Sequence, residues 1–270
     1  MSTLKVNTIQ SFTDADPVTI NDKLQHANSS ATGGGGTRAF GAATTASAFG
    51  SHAEGYGTNA SGNYSHAEGN QTIASGIASH AEGRSTKANG NQSHAEGFFT
   101  TAHGIYSHAE GRDTSTTGSY SHAEGYASRA SASYSHAEGL LTETKEWYAH
   151  SEGDRTLASG RASHAEGYST VASNDFSHAE GSNTQTTANY QHVQGIYNAT
   201  GSSTNTAVMI IGNGSASARK NLIEFHSGSV GFTLDITALP TSGVGLSTGQ
   251  LYRTGSSGAP STFDEIRIKV

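Results

Sequence analysis

The sequence predicts an all-β protein, built as a solenoid of about twelve coils with 14 residues in each coil. The pentapeptide Ser-His-Ala-Glu-Gly, or a close variant, returns every 14 residues. The residues between these pentapeptides alternate with a period of two, which is the period of a β-strand. Leu, Ile, Val and Phe make up only 39 of the 270 residues, a share below the roughly 20% at which disorder becomes the default expectation. Stacked coils resolve this conflict, because each coil buries its small core against its neighbours.

The repeat defines three parts of the chain. Histidine recurs at a constant 14-residue interval from His52 to His192, and residues 37–50 fit the same frame without the His and the Glu. We therefore predict a repeat shaft over 37–204. Residues 1–36 are predicted to be an N-terminal attachment segment that ends in a Gly-rich joint at 33–36. Residues 205–270 contain strand-like apolar runs and are predicted to be a small β domain that caps the array and sets the register of any associated copies.

Within each coil, counted from the Ser of the pentapeptide as position one, the two strands differ in pattern. Positions eight, ten and twelve are mostly Thr, Ala and Gly, whereas positions seven, nine and eleven vary freely. One fixed and one variable face indicate a strand with its small residues inside and its variable residues in water. The pentapeptide strand is fixed on both faces, which indicates burial on both faces. One face can line the coil, and the other needs a partner, so we expect oligomerisation along the whole repeat. The Gly at position five is expected at a turn with positive φ or close backbone approach.

The pattern Ser-x-Ala-x-Gly-x-x-Thr-x-Ala-x-Gly resembles the head repeat of trimeric autotransporter adhesins, the YadA-like heads, over residues 37 to about 204. The resemblance implies a left-handed parallel β-roll packed as a homotrimer, with small β elements at both ends here. The chain departs from that family at positions two and four, where His and Glu replace the usual aliphatic residues. The Ser-His-Ala-Glu-Gly form also resembles repeats of phage structural proteins.

The flanks favour the phage setting. We expect an autotransporter to carry a signal peptide, a coiled-coil stalk and a C-terminal membrane anchor, and the sequence shows no pattern for them. Residues 4–9 with 17–20 resemble the opening of phage tail-fibre proteins, and 249–255 resembles a C-terminal fibre segment. The expected function is that of a structural part of a phage tail fibre or spike, made in the host cytoplasm and carried on the virion. The expected partners are two further copies, other virion tail or baseplate proteins, and host surface polysaccharide. A bacterial surface adhesin head is the alternative.

The repeated His and Glu are predicted to form a structural ladder of parallel columns, since successive coils stack about 4.8 Å apart. Divalent metal binding is the competing interpretation, because imidazole and carboxylate groups share one strand face. A neighbouring Glu is expected to raise the His pKa, so that the rod would weaken in alkali. The ladder comprises His52, Glu54, His66, Glu68, His80, Glu82, His94, Glu96, His108, Glu110, His122, Glu124, His136, Glu138, His150, Glu152, His164, Glu166, His178 and Glu180.

Catalysis is not expected, because a catalytic site is a single convergent constellation and the Ser of each repeat points away from its His and Glu. No cofactor is predicted. The chain has no cysteine, a formal net charge of −7 and no basic stretch, so nucleic acid is not an expected partner. No apolar run approaches the roughly 20 residues that cross a bilayer, so membrane insertion is not expected.

One coil departs from the rule. Residues 140–148 contain the only Trp and place Glu146 where Gly is usual. Exposed aromatic and aliphatic residues on a rigid scaffold suit contact with a receptor or partner. The alternative is a local bulge filled by its own side chains. The candidate contact residues are Phe98, Phe99, Leu140, Leu141 and Trp147.

Overall fold

A computed structural model shows the fold of the chain. It describes residues 24–25, 29–200, 207–227, 232–234, 251–254 and 265–268, with side-chain exposure for 29–200 and 207–227. The predicted attachment motifs at 4–9 and 17–20 lie outside the described residues. Of the segment 249–255, residues 251–254 are described, as a strand.

Within these residues the strands form two long sheets and one short pair, with no helix. The first sheet has 16 strands, taken in the order β1-β3-β5-β7-β9-β11-β13-β15-β17-β19-β21-β23-β24-β25-β26-β27. Their bounds are β1 Leu24–Gln25, β3 Arg38–Ala42, β5 His52–Tyr56, β7 His66–Asn70, β9 His80–Arg84, β11 His94–Phe98, β13 His108–Ala109, β15 His122–Tyr126, β17 His136–Leu140, β19 His150–Asp154, β21 His164–Tyr168, β23 His178–Ser182, β24 His192–Ile196, β25 Ala207–Asn213, β26 Asn221–His226 and β27 Phe232–Leu234.

The second sheet has 11 short strands. They are β2 Ser30–Ala31, β4 Thr45–Ala46, β6 Asn59–Ala60, β8 Ile73–Ala74, β10 Lys87–Ala88, β12 Thr101–Ala102, β14 Ser115–Thr116, β16 Arg129–Ala130, β18 Glu143–Thr144, β20 Leu157–Ala158 and β22 Val171–Ala172. The remaining pair is β28 Leu251–Thr254 with β29 Glu265–Ile268, which run antiparallel. No described helix is long and apolar enough to span a membrane.

Every coil lies in register on the next. Strands of the first sheet pair in parallel with residues 14 positions away, so that His94 pairs with His80 and Gly97 with Gly83. The predicted all-β parallel solenoid is therefore confirmed, with about 13 turns. Parallel pairing already begins at β1, where Leu24 pairs with Arg38, one coil before the boundary predicted at residue 37.

The interior of the coil consists of columns of small side chains. Ala53 and Ala60 are fully buried, and so are their equivalents in nearly every coil. The Ser at position one and the Thr at position eight also point inward. Ser hydroxyls there donate to the carbonyl three residues earlier, as Ser93 does to Gly90 at 2.7 Å. The predicted inward face of Thr, Ala and Gly is thus confirmed, and the outer face of the long sheet carries His and Glu.

Backbone geometry explains the glycine at position five. Gly97 has a φ of 104°, and a Cβ added there would lie 2.1 Å from the carbonyl oxygen of Gly111. The prediction of positive φ and close approach is confirmed. Sequence reasoning missed two further corners in each coil, at positions seven and fourteen, where non-glycine residues such as Gln71 and Tyr64 have φ near 58°.

The C-terminal end changes the direction of pairing. Strand β25 still stacks in parallel on β24, with Val193 paired to Ile210. β26 and β27 then add antiparallel strands. Val193 and Ile210 are fully buried and larger than the alanines of the coils before them. Residues 207–227 and 232–234 of the predicted C-terminal domain therefore continue the long sheet, while β28 and β29 form their own pair. The division into three domains stays a prediction.

Candidate functional site

The outer face of the long sheet carries a continuous stack of imidazole rings. From His52 to His192, each ring lies 4.6–4.9 Å from the next, centroid to centroid, and most neighbouring planes are nearly parallel. The in-register strands impose this spacing, since it matches the distance between hydrogen-bonded strands. About a third of each His side chain remains exposed, at 35% for His80. In the single chain, the His face of the long sheet is therefore only partly shielded from solvent.

The Glu column runs beside the His column and contacts it from coil to coil. Nε2 of His122 lies 3.4 Å from Oε1 of Glu110 in the preceding coil, and Nε2 of His164 lies 3.4 Å from Oε1 of Glu152. Among the described His and Glu residues of these two columns, the pair that meets hydrogen-bond geometry is His150 with Glu138, at 3.3 Å. The structure thus places the two sets of residues in parallel columns with contacts between them.

Six rings of the stack have lowered pKa values. Burial lowers the pKa of His94 first, the charge of neighbouring His108 lowers it further, and Glu96 and Glu82 raise it. Burial is also the largest cause for five other rings of the stack, namely His52, His80, His108, His136 and His178. The expectation of a raised His pKa is wrong for these six residues, because a neighbouring coil brings a second imidazole as well as a carboxylate. Because their pKa values lie below the ordinary 6.5, these six rings are mostly neutral at pH 7, and their contacts with Glu are not ion pairs there.

Carboxyl groups of adjacent coils interact with one another. A hydrogen bond to Glu124, followed by burial, raises the pKa of Glu138. Hydrogen bonds from Glu138 and Glu110 lower the pKa of Glu124. A proton held on one Glu therefore stabilises the charge on the next, which relieves repulsion within the column.

A groove follows the Glu column. Because Gly at position five has no side chain, the groove is open from Phe40 to Gly111, with a volume of about 900 Å³. A second stretch of about 550 Å³ runs from Glu152 to Ile211. Both stretches are lined by alternating Glu and Gly of successive coils.

Four His-Glu-His groups bring possible metal ligands within 4.8 Å of one another. In the group of His80, Glu82 and His94, however, the two rings are stacked with their planes 7° apart. Two nitrogen atoms that ligate one Zn²⁺ at about 2.1 Å must lie closer than about 4.2 Å and point toward the ion. Parallel rings 4.8 Å apart do not meet this requirement without rotation, so the geometry favours a ladder.

Four of the candidate contact residues are exposed and Phe98 is partly buried, and the five do not form one patch. Leu140 and Leu141 lie at the corner that ends a long strand, and Phe98 and Phe99 occupy the same two positions three coils earlier. Trp147, which is 55% exposed, lies at the opposite turn, just before the next long strand. The register through β17 and β19 is unbroken. The interpretation of this coil as a bulge filled by its own side chains is therefore wrong.

Two further aromatic features run from coil to coil. At position fourteen, Tyr106, Tyr120, Tyr134 and Tyr148 stack with centroids 5.0–5.1 Å apart. At position six, arginine and aromatic side chains alternate from Arg84 to Tyr126. The signal was present in the sequence as Arg, Phe, Arg and Tyr at 14-residue intervals. It becomes meaningful only once the coils are known to lie in register.

Comparison with known proteins adds no family. Neither the family models nor the curated proteins that were searched match this chain.

Proposed function

We propose that this chain is a structural, non-enzymatic part of a phage tail fibre or spike, in which three copies form a rigid shaft that contributes to attachment to the host surface. The single observation that carries the proposal is the outer face of the long sheet. Ten His–Glu pairs follow one another there without interruption. About a third of each side chain is exposed in the single chain, as for His108 at 35% and Glu96 at 31%.

A further copy of the same chain is the occupant that fits this face best. Any partner along the full face must repeat at the same spacing of about 4.8 Å. Another copy does so by identity, so one set of contacts recurs in every layer. The face is also self-complementary, because a His column lies beside a Glu column and can meet the Glu column of a neighbour. The choice of three copies follows from the resemblance to trimeric β-roll heads.

The ends of the face support the same interpretation. At position four the Glu column begins after Phe40 and ends before Gln194 and Ile211, which are uncharged. Polar columns bounded by uncharged residues define a face of finite length, about 50 Å from ten coils at about 4.8 Å each. A shaft with a fixed register needs such ends, because identical coils alone would allow neighbouring chains to slip by whole coils.

Electron microscopy of the purified full-length protein tests the proposal. We expect straight rods whose repeat region is about 55–60 Å long and thicker than one coil. Antibodies raised against the rods should label the tails of virions produced by cells that carry the gene. Labelling of the bacterial envelope in cells without virions would instead support the adhesin alternative.

A further inference from the structure

The corner after the long strands carries an ordered row of arginine and aromatic side chains. Cζ of Arg84 lies 5.2 Å from the ring centroid of Phe98. Cζ of Arg112, one coil after Phe98, lies 5.5 Å from the ring centroid of Phe98 and 5.2 Å from that of Tyr126 on the following coil. Phe99 packs edge to face on Phe98, with centroids 4.3 Å apart. We name Arg84, Phe98, Phe99, Arg112 and Tyr126 the arginine–aromatic edge.

Stacking determines what this edge can bind. The faces of Phe98 are covered by guanidinium groups of the coils on both sides, so they are not free to stack on a sugar ring. Arg84 stacks on one ring, that of Phe98, and Arg112 stacks between two, those of Phe98 and Tyr126. A stacked guanidinium keeps its N–H groups in its own plane, directed away from the ring. The side chain of Arg112 is 60% exposed. The edge therefore presents two preoriented donor forks, two coils or about 9.6 Å apart.

The charge of this edge is opposite to that of the chain. Four exposed basic residues lie at positions six and nine of the coils over 79–134, namely Arg84, Lys87, Arg112 and Arg129. Asp113 is the one acidic residue at positions six, seven and nine of these four coils. The chain as a whole has a net charge of −7. Within the described residues, Arg84, Lys87 and Arg129 form no ion pair, and Arg112 contacts Asp113 through Nε at 3.3 Å, which leaves its terminal fork free.

The nearest Glu residues on the same strands do not neutralise the edge. Glu96 and Glu110 are directed toward the His column, where they contact His108 and His122 at 3.6 and 3.4 Å. Their carboxylates thus belong to the face assigned above to the neighbouring chains.

We propose that the arginine–aromatic edge binds an acidic polysaccharide through bidentate contacts from Arg84 and Arg112 to its carboxylate or phosphate groups. This inference rests on the proposed role in host attachment and names its ligand class. Guanidinium forks match the geometry of such anions, and the stacked rings hold them in place before binding. Two forks two coils apart select a polymer whose acid groups recur along its length.

The test measures binding of polygalacturonate to the full-length protein by titration calorimetry, with dextran as the neutral polymer. We expect polygalacturonate to bind with an affinity that falls as salt rises, and dextran not to bind. The variant R84Q/R112Q should bind about tenfold or more weakly, as charge-assisted hydrogen bonds are lost. The control R155Q/R161Q removes the same charge from two arginines that stack on Tyr168 and Phe176 elsewhere on the rod. It should stay within about twofold of the unmodified protein.

The variant R84K/R112K separates geometry from charge, because lysine keeps the charge but cannot form the planar fork. We expect it to lose most of the affinity, and circular dichroism should show an unchanged fold. Equal losses in R84Q/R112Q and R155Q/R161Q would overturn the inference, as would full affinity in R84K/R112K or equal binding of single-stranded DNA. A trimer that does not bind polygalacturonate would refute the inference alone. A monomer that binds it would refute the shaft proposal alone.

Discussion

The imidazole of His80 stacks on that of His94 with ring centroids 4.8 Å apart and planes inclined by 7°. This relationship repeats along the shaft and makes each His the neighbour of two others. A protonated ring is therefore disfavoured both by burial and by the charge of the next ring, as the lowered pKa of His80 reflects.

The first prediction is that acid destabilises the rod. A histidine whose folded pKa lies below its unfolded value near 6.5 contributes stability above about pH 6.5, and this contribution is lost as pH falls through the folded pKa. Six rings of the stack have lowered values, and the lowered pKa of Glu180 acts in the same direction at lower pH. We expect the melting temperature to fall by roughly 5 °C or more between pH 7.5 and pH 5. Thermal unfolding monitored by circular dichroism across this range checks it.

The triple variant H80Q/H94Q/H108Q should flatten this acid loss, because glutamine does not titrate. His103→Gln is the matched control, since His103 lies outside the stack and contacts Asn89. A chelator at pH 7.5 should leave the melting temperature unchanged. A profile that falls toward alkaline pH, or a large drop on chelation, would contradict the account of the ladder.

The second prediction compares two glycines of the shaft. Gly97→Ala should destabilise the protein by about 3 kcal/mol, because it combines a strained φ with an overlap onto the next coil. Gly57→Asn should be nearly neutral. Gly57 has a φ of 65°, a Cβ there would meet nothing closer than 3.5 Å, and the corresponding corner holds Gln71 and Ser85 in the next coils. Chemical denaturation of both variants measures the difference. Equal effects would show that positive φ alone governs both sites.

The 14-residue period made most of the fold predictable from sequence. Once residues such as Ala95 recur in register, the parallel pairing, the inward face and the place of Gly97 follow from strand geometry. The positive φ at the corners, positions seven and fourteen, could not be predicted in this way. Residues such as Tyr64 and Leu141 have no preference for positive φ, which costs roughly 1–2 kcal/mol in an L-residue. They adopt it because the ladder continues through the corner, as when the Tyr64 amide donates to the carbonyl of Phe49 at 2.8 Å.

The candidate site was predictable in its placement but not in its electrostatics. The sequence placed His94 and Glu96 on one face, and a single His–Glu pair would have a raised His pKa. In the stack the pKa of His94 is lowered instead, because His94 is partly buried and also lies against His108. The arginine–aromatic edge was overlooked because position six varies from coil to coil, and only the stacking of Arg112 between Phe98 and Tyr126 reveals its order.

A third prediction concerns short fragments. Each coil buries little more than methyl and hydroxyl groups, so its stability comes from its neighbours. We expect a fragment of three coils, such as residues 79–120, to remain unfolded at 25 °C, whereas residues 29–227 should unfold cooperatively. Circular dichroism with thermal melting distinguishes the two. A sharp transition in the short fragment would show that single coils are far more stable than their small core suggests.

A fourth prediction distinguishes two candidate attachment surfaces, the turn that holds Trp147 and the corner that holds Leu140 and Leu141. Trp147 is exposed at the turn opposite Leu140 and Leu141. If Trp147 contacts the receptor, Trp147→Ala should reduce adsorption to host cells without changing the melting temperature. The matched variant L140A/L141A alters only the opposite corner. Full adsorption by the Trp147→Ala variant would show that the indole is not part of the attachment surface.

Sedimentation equilibrium of the full-length protein tests the central claim most directly, since we propose that further copies of the chain cover the exposed His–Glu face. For a chain of 27.8 kDa, the account predicts a single species with three times that mass, unchanged on dilution into the nanomolar range at pH 7.5. A stable, folded species with the mass of one chain would contradict it.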